Sequence, residues 1–108
     1  MYTTIEGKSP VREFIDSLEQ SAKAKVRHAI YLLKEFGVIT RSDHIKKVAG
    51  TKLWELRVVG GDNIRIFYVA QTGKIFLLLH GFKKKKQKTP LKEILIALER
   101  LKEDKSRK

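Results

Sequence analysis

Apolar residues recur at helical spacing in the first third of the chain. Ser9-Pro10, a cap residue followed by proline, predicts the start of a helix that ends at about Leu18. Ser21 predicts the cap of a second helix, which runs to about Phe36 and stops at Gly37. Both segments are amphipathic, so we expect a helical hairpin that covers one face of a sheet.

The same pattern of a cap residue and a proline returns at Thr89-Pro90 and predicts a C-terminal helix. Its apolar stripe has helical spacing and consists of Leu91, Ile94, Leu95, Leu98 and Leu101. The polar residues 102–108 are expected to fray. This helix follows the strand-rich part of the chain, where it can cover part of the other face of the sheet.

Between the helices the pattern changes to short β-rich runs. The predicted strands are residues 45–48, 53–59, 64–70 and 75–82, with a further short strand at residues 2–5. Turn residues separate the last three runs, at 60–63 and at Thr72-Gly73. In the last two runs both alternating sets are largely apolar, which requires cover on both faces. We therefore predict a single α+β domain over residues 1–108, built on a small antiparallel sheet.

The turns determine which polar side chains share a face of this sheet. A two-residue turn at Thr72-Gly73 places Arg65 directly across from His80. The position of Arg57 stays open. If the turn at residues 60–63 keeps an even register, Arg57 lies on the face of Tyr68. A bulge at Gly60 or Gly61 would instead put Arg57 on the face of Arg65.

Positive charge is concentrated in the middle of the chain. The whole sequence has 24 Lys and Arg against 12 Asp and Glu, a net charge of +12. Residues 44–92 hold twelve basic residues but only Glu55 and Asp62, a net charge of +10. Such a focused field attracts phosphate chains, and the alternative is an ordinary basic, solvated surface. Because the chain has no cysteine, no long apolar run and no signal-peptide pattern, we expect a cytoplasmic protein that does not enter membranes.

Motifs of phosphate-binding loops, zinc proteases and serine hydrolases are absent from the sequence, and the acidic residues lie nearly all on the predicted helices. We therefore expect neither a metal nor another cofactor. If the protein cuts nucleic acid, cations and hydrogen bonds must stabilise the reaction. RNA suits this chemistry because its 2′-hydroxyl is its own nucleophile, and a histidine or a lysine of lowered pKa can transfer the protons.

Each candidate residue also has a purely structural interpretation. His80 is either a proton-transfer group near Arg65 or a hydrogen-bonded histidine at the sheet edge. The lysine run Lys83–Lys88 is a solvated loop, a phosphate clamp or a source of catalytic ammonium groups. The aromatic residues Trp54, Tyr68 and Phe82 could stack on bases, although Trp54 and Tyr68 are equally typical of a core.

Several motifs together resemble the phage-derived HigB-like branch of the RelE/ParE toxin superfamily. They are Leu53–Arg57, Ile64–Tyr68, Leu78–Pro90, Ser9–Phe14 and Phe36-Gly37, so the resemblance covers nearly the whole chain. It implies a RelE-like α+β fold, with an N-terminal helical hairpin and a C-terminal helix. It also implies a toxin that cuts messenger RNA on the ribosome, a HigA-like helix-turn-helix antitoxin, and contact with operator DNA through that antitoxin.

The resemblance also suggests site residues. Arg65 matches the arginine of the superfamily's Arg-x-x-Tyr strand, and Arg57 matches the basic position of the preceding strand. We expect Arg65 and Lys84 to stabilise the phosphorane, His80 to act as general acid or base, and Arg57 to hold phosphate. The residues expected to bind RNA or the ribosome are Lys46, Lys47, Lys52, Tyr68, Phe82, Lys83, Lys86 and Lys88.

Two other functions remain possible at this point. The ParE branch of the superfamily inhibits DNA gyrase, and a shared fold does not separate it from the nucleases. The third possibility is a noncatalytic nucleic-acid-binding module, which would bind in a salt-dependent manner without cutting.

Overall fold

Four antiparallel strands form one sheet in the order β1-β2-β3-β4. The computed structural model describes residues 2–4, 6–36, 45–58, 63–72, 75–85 and 90–107. The elements, in chain order, are α1 (Pro10–Asp16), α2 (Gln20–Phe36), β1 (Ile45–Lys47), β2 (Trp54–Val58), β3 (Ile64–Thr72), β4 (Ile75–Lys83) and α3 (Leu91–Ser106).

Helices cover both faces of this sheet, so the predicted α+β fold is confirmed. One core joins α1 and α2 to the sheet face that carries Leu56, Ile66 and Tyr68. A second core joins α3 to the opposite face, which carries Phe67 and Leu79. The apolar residues on both sides of β3 account for this arrangement, because each alternating set needs its own cover. We call the second side the α3 face.

The helix ends differ from the sequence prediction in small ways. The first helix ends at Asp16 rather than near Leu18, and Ser9 makes no capping hydrogen bond through its side chain. The second helix begins at Gln20, so Ser21 lies in its first turn and does not cap it. The backbone of Pro90 is extended, and this residue precedes the third helix as its N-cap.

The two ends of the chain differ more strongly from the sequence prediction, and tertiary contacts explain both differences. Residues 2–4 form no strand, since the amide of Tyr2 donates a single hydrogen bond to Leu78 O and the chain then turns at Gly7. The polar segment predicted to fray is helical as far as Ser106. Two contacts hold it: the Tyr2 hydroxyl donates to Glu103 at 2.7 Å, and Arg107 donates to Thr3 O.

The predicted register of the last hairpin is wrong. Arg65 lies across from Phe82, and His80 lies across from Phe67. The difference arises at the turn, because Thr72 pairs with Ile75 and is not part of the turn as predicted. The register shifts between Phe67 and Tyr68 and between Ala70 and Thr72 cancel each other and leave this displacement unchanged. The first shift leaves Leu79 as an extra residue of β4, next to His80 on the α3 face.

The position of Arg57, which the sequence left open, is now determined. It lies directly across from Arg65 in the pairing of β2 with β3. Tyr68 lies across from Trp54 and therefore belongs to the other face of the sheet. Of the two alternatives, the one that unites the two arginines is confirmed.

Candidate functional site

Two arginines face each other at one end of the sheet. Arg57 of β2 and Arg65 of β3 are directly opposed on the α3 face. Arg57 is exposed, whereas Arg65 is only 8% exposed. Like charges directly opposite each other destabilise a sheet. An anion bound between the two guanidinium groups would remove this cost.

The guanidinium group of Arg65 is not fully satisfied by the protein. Its Nη1 donates to Ile64 O at 3.2 Å, and its buried Nε has no hydrogen-bond partner among the described residues. Burial lowers the pKa of Arg65, the nearby charge of Arg57 lowers it further, and Glu55 acts in the opposite direction. An unsatisfied buried donor is costly, and a phosphate oxygen is the kind of acceptor that such a donor fits.

The lysine run begins at the same end of the sheet. Strand β4 ends at Lys83, which lies across from Ile64, and the amide of Lys84 donates to Asn63 O at 2.8 Å. Because Asn63 lies two residues before Arg65, Lys84 is placed two residues beyond Phe82, the partner of Arg65 in β4. The side chain of Lys83 is exposed and that of Lys84 is partly exposed. Lys86 and Lys88 lie outside the described residues.

The remaining predicted lysines do not form one cluster. Lys46 of β1 lies across from Glu55 and so belongs to the α3 face. Lys47 belongs to the other face, where its Nζ lies 5.0 Å from the centre of the Trp54 ring. Lys52 precedes β2, and its hydrogen bond and charge lower the pKa of Lys105 in α3. Lys46 therefore shares the face of the opposed arginines and Lys47 does not, whereas Lys52 lies outside the strands, beside α3.

His80 is bound to the C-terminal helix through both of its ring nitrogens. Its Nε2 lies 2.9 Å from Glu93 Oε1, and Nη1 of Arg100 lies 3.1 Å from its Nδ1. The ring also stacks on Phe82, with centroids 5.5 Å apart. Burial lowers the pKa of His80, Glu93 counteracts this effect, and the charge of Arg100 adds to it. His80 shares the α3 face with Arg65 but does not oppose it.

Two aromatic residues are unsuited to the base-stacking role predicted for them. Tyr68 is 0% exposed in the core beneath α1 and α2, on the other face from the arginines. Phe82 is 6% exposed and lies against Phe67, with ring centroids 5.1 Å apart. Since neither ring can meet a base where it is buried, we remove both from the predicted RNA surface.

Three charged residues near this site were not predicted from the sequence. Glu55 is 4% exposed on the α3 face, two residues from Arg57 in the same strand. Glu93 and Arg100 hold His80 from α3, and they are separated by seven residues, which puts them on one side of a helix. Two features of the sequence could have indicated them. One is the carboxylate of Glu55 inside an apolar β-run, and the other is the charged pair Glu93 and Arg100 at helical spacing.

Comparison with known proteins gives the family. The chain matches the family model described as Phage derived protein Gp49-like (DUF891) over residues 13–102. It belongs to this Gp49-like family. The family is a phage-derived, RelE/ParE-type toxin-like family, so the resemblance seen in the sequence is confirmed at this level. A search of curated proteins gave no match.

The described part of the Gp49-like chain was searched for membrane-spanning helices and for clusters of metal ligands. None of the helices in the described ranges is both long and apolar enough to cross a membrane. Among the same residues, no three His, Asp or Glu side chains gather as potential metal ligands. The matched span contains the opposed arginines and the start of the lysine run.

Proposed function

We propose that this Gp49-like protein is the toxin of a toxin–antitoxin pair and cleaves messenger RNA on the ribosome. The directly opposed Arg57 and Arg65, with the buried Arg65 Nε lacking a partner in the described chain, carry this proposal. The toxin-like character of the family supports it. The more specific assignment to the HigB-like branch rests on the motifs quoted above.

The arrangement suits cleavage by the 2′-hydroxyl of the RNA itself. We assign phosphate binding to Arg57, because it is exposed, and stabilisation of the phosphorane to Arg65, because its donor is held in place by burial. Fixed donors in a water-poor site stabilise developing charge better than mobile ones. Lys84 would add a third cation at the same end of the sheet, and Lys46 would bind a neighbouring phosphate. Lys83 lies across from Ile64 and therefore belongs to the other face.

The role of His80 changes in this proposal. Its ring nitrogens already bond to Glu93 and Arg100, so it offers neither a free proton donor nor a free acceptor to a substrate. We assign it instead to positioning: it ties the end of β4 to α3 and places Phe82 beside Arg65. The predicted general acid or base must then be another group.

The proposed partner is an antitoxin that neutralises the basic end of the sheet. A net charge of +10 within residues 44–92 favours an acidic segment at that surface. The helix-turn-helix type of the antitoxin, and binding of operator DNA through it, follow from the resemblance to the HigB-like branch. A short helix-turn-helix gene next to this one would support both.

Cleavage on translating ribosomes tests the proposed function. Wild-type protein should give messages that end in a 2′,3′-cyclic phosphate or its 3′-phosphate product. Arg65→Ala should slow cleavage by about 100-fold or more, because removing one preorganised donor to a developing oxyanion costs that much. Arg27→Ala is the matched control, since Arg27 is exposed on α2, on the other side of the sheet.

Other results would favour the rival functions. Intact messages together with inhibited supercoiling by purified gyrase would identify a ParE-like inhibitor. Intact messages with salt-dependent RNA binding and no toxicity on expression would identify a noncatalytic binding module. Equal cleavage by wild type and Arg65→Ala would remove the opposed arginines as the site.

A further inference from the structure

Helix α3 carries a stripe of leucines at its surface, formed by Leu91, Leu95 and Leu98. Leu91 is 67% exposed, Leu95 is 54% exposed and Leu98 is partly exposed. Their spacing of four and then three residues places the three side chains along one line of the helix. Ala97 and Leu101 belong to the core under α3, whereas Leu91 and Leu95 do not. A single exposed leucine is ordinary, but a continuous stripe is typical of a surface that another molecule covers.

The charge of α3 indicates which partner this leucine stripe fits. The helix has four basic and four acidic residues, a net charge of zero, although the whole chain carries +12. Helix α2, by comparison, has four basic residues and one acidic residue, a net charge of +3. RNA and acidic proteins are attracted by an excess of positive charge, which α3 lacks. Two copies of a basic chain repel each other least where the charge is balanced, so α3 favours a second copy as the partner.

Two charged residues beside the leucine stripe are complementary in an antiparallel pair of α3 helices. Lys92 follows Leu91 and Glu99 follows Leu98, so both exposed side chains flank the same edge of the stripe. Neither forms an ion pair within the described part of the chain. In a two-fold symmetric pair, each contact between two positions occurs twice. If Leu95 of one copy packs on Leu98 of the other, Lys92 of each copy lies beside Glu99 of the other.

We propose that the leucine stripe of α3 joins two copies of this chain in an antiparallel, two-fold symmetric dimer. Leu95 and Leu98 of both copies form its centre, and two reciprocal pairs of Lys92 with Glu99 flank it. The same register places Lys102 of one copy opposite Leu91 of the other, where the alkyl stem of the lysine covers the leucine. This inference does not rest on RNA cleavage, because the opposed arginines lie on β2 and β3 rather than on α3.

Sedimentation equilibrium of the purified full chain over a series of concentrations tests the apolar centre. Wild type should show a reversible equilibrium between monomer and dimer. Leu95→Lys should raise the dissociation constant by about 100-fold or more, because a two-fold interface loses the buried leucine twice. Leu32→Lys is the matched control, since Leu32 is a 40% exposed leucine of α2 and the substitution adds the same charge. This variant should dimerise like wild type.

Charge substitutions test the antiparallel register. Lys92→Glu should raise the dissociation constant by about tenfold or more, because it turns two attractions into two repulsions. General repulsion between basic copies predicts the opposite, since this substitution lowers the net charge from +12 by two. The double variant Lys92→Glu/Glu99→Lys restores both the attractions and the net charge. It should therefore dimerise within about threefold of wild type.

Three results would overturn the proposal. If wild type is monomeric at every concentration, the leucine stripe does not join two copies, and a segment of the antitoxin becomes the candidate partner. If Leu95→Lys dimerises as tightly as wild type, the dimer forms elsewhere. If the double variant associates no more tightly than Lys92→Glu, the antiparallel register is wrong. Should Leu95→Lys fail to fold, the charge variants still decide, because Lys92 and Glu99 are both exposed.

Discussion

At the scale of single residues, the hydrogen bonds of His80 define its protonation state. An arginine N–H can only donate, so Nδ1 of His80 must accept the bond from Arg100 and carries no proton. The neutral ring then has its proton on Nε2, which donates to Glu93. Burial, which lowers the pKa of His80, favours the same neutral form. Protonation of Nδ1 would break the bond to Arg100.

Because the folded protein favours the neutral ring of His80, its free energy of unfolding should depend on pH. The pKa of His80 is lowered on folding, so its contribution should be complete above the unfolded value of about 6.5. That contribution should be lost as the pH falls through the lower pKa of the folded state, where the unfolded chain binds more protons. Urea unfolding of wild type and His80→Asn at several pH values would test this. The variant should be less stable by about 1–3 kcal/mol near neutral pH, and the difference should shrink in acid. A constant difference would contradict the assigned tautomer.

Site residues that are placed by strand pairing were easier to predict than those whose contacts depend on helix docking. Arg65, Arg57 and Lys84 lie in or beside β-runs, so strand pairing alone brings them near one another, and the sequence indicated their end of the sheet correctly. The partners of His80 come from α3, thirteen and twenty residues away. Their contact depends on how the helix docks, which periodicity does not specify. For the same reason, the buried state of Phe82 was not evident.

At the scale of elements, the packing of α1 on β4 depends on the absence of a side chain. A Cβ added at Gly81 would lie 2.5 Å from Cδ2 of Phe14 and 2.9 Å from its Cε2. Real Cβ atoms do not approach carbon so closely, so the ring of Phe14 occupies the space that any larger residue would need. This contact fixes the first helix of the hairpin against the strand that leads into Lys83.

Gly81→Ala should therefore destabilise the protein by about 1–3 kcal/mol, the usual cost of overpacking. Denaturant unfolding of Gly81→Ala, Phe14→Ala and the double variant would measure it. If the clash is the cause, adding Gly81→Ala to Phe14→Ala should cost less than adding it to wild type. Additive effects of the two substitutions would show that something else limits position 81.

In the last hairpin the strands could be predicted from the sequence, but the register of their pairing could not. The β-runs themselves were identified, and β3 and β4 extend only one or two residues beyond them. The two register shifts came from extra residues inside the strands, which alternation of apolar residues does not reveal when both faces are apolar. An error at the turn then moved His80 away from Arg65. Patterns therefore predicted the strands better than their pairing.

At the scale of the whole molecule, the sheet separates two surfaces. The helices α1 and α2 cover one face, and the opposed arginines lie on the other, beside α3. Charge is concentrated in the strands and their loops rather than in the helices, because the segment of residues 44–92, which includes all four strands, carries a net charge of +10. A phosphate chain should therefore approach the α3 side at the end where β4 gives way to lysines.

Salt dependence of RNA binding tests this picture of the whole surface. For single-stranded RNA, each neutralised phosphate contributes about 0.7 to the slope of log K against log salt concentration. Lys84→Ala should reduce the slope by about that amount if the lysine contacts one phosphate. Lys25→Ala removes the same charge from the exposed side of α2 and should leave the slope unchanged. The measurement uses RNA blocked at the cleavage site by 2′-O-methylation, so that binding and cutting stay separate. Equal slopes for the two variants would mean that net charge, rather than its placement, attracts the RNA, and the proposed site would lose its electrostatic basis.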